Sequence, residues 1–392
     1  MLKLNKKHIC FILLGILVSC TKNTDISHKQ AKIFVKYFGG SSNDSATSLA
    51  LCADGGYALT GQISPSANVP RAFFIRTDQY GNELSFSPII IGNGKTSTGY
   101  NICQTKDGGF LLVGSVIITG RSDKDFLLVK IKPDGLTDWQ KIWGSGQDDE
   151  GFSVSETAEG NILVGGYSNS VANHGKDAYG ALIDNTGTRI IWEKNYGFDS
   201  DEVCNSFVEK DTYFLLIGYT DSYQSANLNR SVFLVKVDKV SGNPVDSRYF
   251  GGANDEAGVK SANDADGNIY ILANSTASAV SSIYILKLDI NFQLIWEKYL
   301  SSTNSETGKD IMLNNNQVVI IGSSSSQSSD FLIDVLDTDG NLVNPNSNTI
   351  QALGDQYGQA GAIGTDGRII IAGSDNVGGF SKVALIKTDL PK

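Results

Sequence analysis

The stretch Trp192-Glu193-Lys194-Asn195-Tyr196-Gly197 recurs in altered form down the whole chain. Lys36-Tyr37-Phe38-Gly39-Gly40, Lys141-Ile142-Trp143-Gly144, Arg248-Tyr249-Phe250-Gly251-Gly252 and Trp296-Glu297-Lys298-Tyr299-Leu300 are further copies. Weaker ones end at Gly92 and Gly354. With Gly39, Gly92, Gly144, Gly197, Gly251, Ser301 and Gly354 as markers, the successive spacings are 53, 52, 53, 54, 50 and 53 residues. Seven near-equal units are a repeat architecture, in which each unit is one supersecondary element packed on its neighbours.

Each unit reads as four strands. In the second, Ser97 to Thr105 is a strand, and Lys106-Asp107-Gly108-Gly109 is a hairpin turn whose glycine supplies positive φ. Phe110 to Val113 follows as a nearly continuous apolar strand ending at Gly114, then a variable loop and Phe126 to Ile131. The turn Pro133-Asp134-Gly135 leads to Trp139 through Trp143. The second strand of successive units is predicted to end at Gly61, Gly114, Gly166, Gly218, Ala273, Gly322 and Gly373. A residue small in all seven units marks a close approach of backbones.

Strands such as Phe214-Leu215-Leu216-Ile217 and Ile269-Tyr270-Ile271-Leu272 are apolar on both faces. Such a sheet must be sandwiched, and copies of itself can do the sandwiching. The expected fold is therefore all-β: a seven-bladed β-propeller of four-stranded antiparallel blades. A parallel β-helix has shorter coils, and separate β-sandwiches need more residues per unit. The last unit stops one strand short at Lys392, while Ile33-Phe34-Val35-Lys36-Tyr37 is a final-type strand with no unit before it. Residues 32 to 38 are thus expected beside residues 382 to 389, completing the last blade and hiding the open edges.

At 392 residues the chain exceeds a single compact core, and 41% hydrophobic content excludes a disordered one. The formal charge is −10, and loss of residues 1 to 19 would remove Lys3, Lys6 and Lys7 and no acid, giving −13. That balance argues against nucleic acid, which needs a basic footprint. Cys52, Cys103 and Cys204 form no close pair, so free buried thiols are expected rather than disulfides or zinc.

Residues 1 to 19 read as a signal peptide, with a basic start and the apolar run Ile9 to Val18. The run closes on Leu17-Val18-Ser19-Cys20, which resembles the bacterial lipobox. That resemblance implies cleavage before Cys20, acylation of it, and a membrane anchor without a spanning helix. Residues 20 to 31 would then be the lipidated cysteine and a flexible tether, and 32 to 392 the propeller. A Thr after the cysteine implies an outer-membrane lipoprotein, on the periplasmic side or the cell surface.

The units resemble the repeats of bacterial extracytoplasmic β-propellers. Ala181 to Gly187, closing on Trp192, resembles the tryptophan-docking motif of quinoprotein-type propellers, with Trp139 and Trp296 at the same position. That fold also serves a lipoprotein of the outer-membrane protein assembly machinery as a non-catalytic scaffold. The resemblance implies a binding or scaffold protein of the envelope, expected to be monomeric, without cofactor, with a protein or glycan partner. The Asp-x-Gly-x-x-Trp pieces faintly resemble sialidase Asp-boxes, and a carbohydrate-active propeller is the enzyme alternative. It would need a blade that departs from the repeat with a cluster of acid, Arg and Tyr.

Five residues after the markers stand Asp44, Ser97, Asp149, Glu202, Glu256, Glu306 and Gln359, flanked by Asp148, Glu150, Asp201 and Asp255. These are the candidate ligand residues, since an acidic ring at the channel mouth could bind a cation, a small ligand or a basic segment. Alternatively each acid accepts backbone N–H bonds in its own blade, the reading a repeated position favours. Asn263 to Gly267 and Asp337 to Asn341 resemble calcium-loop fragments but lack the distal Glu. His174 is the one histidine of the folded part, and no catalytic constellation surrounds it. Variable loops, with Tyr167, Tyr219 and Tyr223 in them, are the expected determinants of specificity.

Overall fold

A sheet that is apolar on both faces needs a neighbour on each side, and the computed structural model supplies them as a ring. It describes residues 33–391 apart from 41, 66–68, 171–174, 223–228, 278–279, 301, 345–347 and 352–353. The leader, Cys20, the tether and His174 lie outside the described residues. All regular elements among the described residues are strands, gathered into seven four-stranded antiparallel sheets. Six sheets take four consecutive strands each, innermost first. The outer strands Ile89–Ile90 and Asn348–Ile350 are the shortest, and they fall in the two weaker copies of the repeat.

The seventh sheet contains Gln356–Ile363, Ile369–Val377, Phe380–Thr388 and, outermost, Phe34–Phe38. Phe34 lies opposite Lys387 and Phe38 opposite Val383 in antiparallel register.

The core is not central but divided into seven seams, one between each pair of adjacent blades. Leu215 and Ile217 face blade five, whereas Phe214 and Leu216 face blade three. Alternation along one strand thus feeds two cores. The seam between blades seven and one joins Ala372 and Leu385 to Leu59 and Phe73.

Aromatics in the outer strand, or in blade one just before it, fasten one blade to the next. Trp192 lies over the turn at Gly242, where φ is +68° and a Cβ would stand 2.5 Å from the indole. Its Nε1 donates to Lys239 O at 2.9 Å. Trp139 packs likewise against Gly187, Trp296 against Gly340 and Phe86 against Gly135.

The small residue of the second strand does not end it. Tyr57–Ile63, Phe110–Ile117 and Tyr213–Thr220 run through Gly61, Gly114 and Gly218. In every blade the residue pairs with the first strand just before a one-residue bulge, as Gly218 pairs with Cys204 ahead of the slip to Ser206. A Cβ on Gly218 would stand 1.7 Å from Val203 O. Blade five keeps Ala273 there, opposite Gly258.

Two outcomes are expected in thermal melts. A protein starting at Gly39 should melt well below one starting at Thr21, and equal melting would show that Phe34–Phe38 does not hold the ring. Gly218→Ala should cost about 1–3 kcal/mol by overpacking, while Ala273→Gly changes stability by less; a silent Gly218→Ala would mean the bulge yields freely.

Candidate functional site

The repeated acids are buried, not displayed. Asp44, Asp149, Glu202, Glu256 and Glu306 are each at most 2% exposed, as is Ser97. Each acid stands at the start of the innermost strand of its blade, and Asp44, Asp149, Glu202 and Glu256 bend back over the marker glycine. A Cβ on Gly39 would stand 2.2 Å from Asp44 Oδ2, and one on Gly251 would stand 2.6 Å from Glu256 Oε2. The carboxylate then accepts the N–H just past the marker: Gly40 to Asp44 at 3.0 Å, Ser145 to Asp149 at 2.5 Å, Phe198 to Glu202 at 2.8 Å, Gly252 to Glu256 at 3.0 Å. Glycine and acid are thus two halves of one loop lock.

In blade seven the position belongs to Gln356, which is wholly buried and donates Nε2 to Gly354 O at 2.7 Å. Gln359 is instead the bulge residue, between Gly358 and Ala360. The spacing of five fails there because only one residue separates Gly354 from Gln356.

The flanking acids have a repeated task as well. Asp148, Asp201, Asp255 and Asp355 accept the N–H of Lys124, Lys176, Arg230 and Ser329 in the preceding blade, at 2.9 to 3.0 Å. The lead-in loops and variable loops share one face, as Asn169 N to Asp148 O and Asp221 N to Asp201 O show. The calcium-like turns are closed by their own backbone: Asp264 Oδ1 accepts from Asn268 N and Asp337 Oδ1 from Asn341 N, both at 2.8 Å.

Against this uniform background two arrangements stand out, both at blades two and three. The first is a cavity of about 530 Å³ on the lead-in face. Trp143, Asp149, Ser168, Ser170, Tyr179 and Glu193 are among its lining residues. Trp143 stacks on Phe126 at 5.0 Å, and Phe126 on Tyr179 at 4.4 Å. Trp143 Nε1 donates to Tyr179 OH at 3.0 Å, which donates to Glu193 Oε2 at 2.5 Å. Burial first, then the Glu193 carboxylate, pushes the Tyr179 phenol well up, so it stays a donor.

Asp149 Oδ1 is buried and has no hydrogen-bond partner among the described residues. Its counterparts differ. Glu202 Oε1 accepts from Thr220, Glu256 Oε1 from Ser275 at 3.0 Å, and Asp44 Oδ1 from Ser64 N at 3.0 Å. Ser168 pairs with Asp149 across the strands as Thr220 pairs with Glu202, but aspartate is one methylene shorter. Nearby, Asp125 Oδ2 also accepts no hydrogen bond, although Arg121 stands 3.4 Å away. Burial pushes the Asp125 carboxyl up, against the pull of Arg121.

The second arrangement is a cluster around Glu150. Tyr167 donates to Oε1 at 2.7 Å, Lys124 Nζ at 2.8 Å, and Tyr100 to Oε2. Burial works to raise Glu150, but Lys124 and the two phenols outweigh it and hold the carboxyl low. Tyr100 is a bulge residue and meets the ring of Phe152, the bulge residue of blade three, at 4.9 Å. Tyr167 is therefore buried and committed to Glu150 rather than offered by a loop. Tyr219 lies under the Arg230 guanidinium at 3.9 Å, and Tyr223 falls outside the described residues. The sequence signal for this cluster was Glu150 alone, an acid on the far side of the repeated position.

Cys52, Cys103 and Cys204 are free, and burial pushes their thiols up to about 12, 11 and 12. Among the described residues no group of three or more His, Cys, Asp or Glu could hold a metal ion.

No family model matches the chain, and no curated protein matches it. Among solved structures, a protein of unknown function from Dyadobacter fermentans DSM 18053 is similar at 10% identity and a TM-score of 0.50, over 91% of this chain and 99% of that one. Raptor from Chaetomium thermophilum is similar at 11% identity and a TM-score of 0.53, over 90% of this chain and 29% of that one. A puromycin hydrolase aligns at 13% identity with a TM-score of 0.42, over 85% of this chain and 58% of that one. At these identities the likeness concerns the fold alone.

Blade six supplies a pH test of these buried acids. Asp334, 4% exposed, is pushed up from 3.8 to about 7 by burial and then by the charge of Glu306. The folded state therefore holds this proton more tightly than the unfolded chain. The resulting stability is complete below pH ~4 and is lost as pH rises through ~7. Asp334→Asn should melt above wild type at pH 8, with the gap shrinking toward pH 5; a gap independent of pH would rule out a shifted Asp334.

Proposed function

We propose that this chain is a non-catalytic binding or scaffold protein of a bacterial envelope, anchored by acyl chains on Cys20, with its ligand face on the side of the lead-in loops. The observation that carries the reading is the contrast inside the repeat. The carboxylates of Asp44, Glu202 and Glu256 are engaged at both oxygens by their own blades, whereas Asp149, on the wall of a cavity, is engaged at one.

The buried chemistry favours binding over catalysis. Tyr100 and Tyr167 are raised by burial and by Glu150, and the three thiols are raised by burial, so none of these is a ready nucleophile. A carbohydrate-active reading draws on one specific feature, the Glu150, Tyr100, Tyr167 and Lys124 cluster, which departs from the repeat but has Lys124 where such an enzyme would need an Arg. Its groups, however, are closed on one another.

The test is recovery of the native protein from gently solubilised envelopes, with mass spectrometry of its N-terminus and of what travels with it. The expected result is a first peptide beginning at acylated Cys20 and a stoichiometric companion. An unacylated N-terminus would remove the anchor from the proposal, and recovery of the protein alone would remove the scaffold.

A further inference from the structure

We infer that the cavity between blades two and three takes a neutral saccharide ring, one hydroxyl of which donates to Asp149 Oδ1. This rests on the binding reading above and names its ligand class.

A buried carboxylate oxygen without a donor is costly, and such groups in native proteins call for a partner. Asp149 lines the cavity and is wholly buried. The matching cleft between blades seven and one is an internal control. Asp44 lines it and is just as buried, but Asp44 Oδ1 accepts from Ser64 N and from Ser42 Oγ, both at 3.0 Å. Of the two repeated acids, Asp149 alone keeps, among the described residues, a carboxylate oxygen still in need of a donor.

The remaining walls narrow the ligand further. Trp143 and Ile190 give the lining apolar surface, suited to the C–H face of a sugar ring. The polar lining groups mix senses: Glu193 accepts, Lys194 donates, and Asn195, Ser168 and Ser170 do either. A ligand that meets these must carry several hydroxyls on one edge and carbon on a face. Asp149 and Glu193 oppose an anion, and Lys194 offsets one of their two charges. A few convergent polar groups beside an aromatic surface, in a volume of about 530 Å³, fit one or two sugar units.

The experiment is calorimetric titration of the folded chain from Thr21 with methyl glycosides and with neutral di- to tetrasaccharides, with choline and spermidine as cationic probes. Asp149→Asn keeps a carbonyl oxygen for Ser145 N and turns an amide donor toward the cavity. It should weaken saccharide binding about tenfold or more, and Trp143→Ala should abolish it. Asp44→Asn, which disturbs the same loop lock in the other cleft, should leave affinity within about twofold. Saccharide binding that Asp149→Asn leaves intact, or that Asp44→Asn weakens equally, overturns the inference. So does a cationic probe binding in place of every saccharide, although a binding cleft would then survive. If no probe binds at about 10 mM and the envelope companion is retained by Asp149→Asn, the saccharide fails while the scaffold stands. If there is no companion either, both fail.

Discussion

Everything in this fold depends on sheets that have no face to give to solvent. Along a second strand such as Phe214 to Ile217, alternate residues enter different seams, so each blade is half of two cores. A linear stack would leave two apolar faces bare at its ends; a ring leaves none. The seam between blades seven and one contains twelve buried residues. Nine of them are larger than alanine, and at roughly 1.5–3 kcal/mol for each large apolar side chain buried, opening that seam would cost about as much as, or more than, the about 5–15 kcal/mol by which domains are stable. Closure is therefore a condition of folding, not an ornament of it, and the Phe34–Phe38 strand seated on Phe380–Thr388 lies at that seam.

Ring closure dictates what the repeated polar residues must do. Where the chain leaves one blade and begins the next, it runs over the end of a seam, and its N–H groups would be stranded there. A carboxylate folded over a glycine answers that need locally, as Asp44 does for Gly40 and Glu256 for Gly252. The preceding acid answers it across the blade boundary, as Asp201 does for Lys176. The acidity of the lead-in loops is thus explained by backbone accounting before any ligand is invoked. A carboxylate ring at a channel mouth would need oxygens left over for a ligand, and in Asp44, Glu202 and Glu256 both oxygens are already held within the protein.

Periodicity made the architecture legible in the sequence, because a side chain's distance from its marker is a local property that spacing records. The blade count, the four strands and the turn at Asp107-Gly108-Gly109 were all of this kind. What spacing cannot record is how a backbone pairs. Gly114 reads as a strand end because polar residues follow it, yet the strand continues to Ile117 and the glycine faces a bulge. Gln359 has the right spacing and Gln356 the right place, since a shortened loop shifts the register. The Glu150 cluster joins residues from two blades, Tyr100 among them, and no local pattern carries that.

A repeat protein hides its function by averaging and discloses it by exception. If a residue type recurs in every blade, its work is in every blade, and that work is structural. A specific ligand site must therefore be sought where one copy departs from the rest in something smaller than its motif. Asp149 obeys the motif, holding Ser145 N as its counterparts hold theirs. What it lacks is one methylene of reach toward Ser168, or a loop N–H like that of Ser64. That deficit would be a defect in blade one or four, where nothing but the blade itself could fill it. In blade three it opens beside Trp143 and Tyr179, on a cavity with room for another molecule. The same missing hydrogen bond is a cost to the fold and an affinity for a ligand, and which it becomes is decided by the space in front of it.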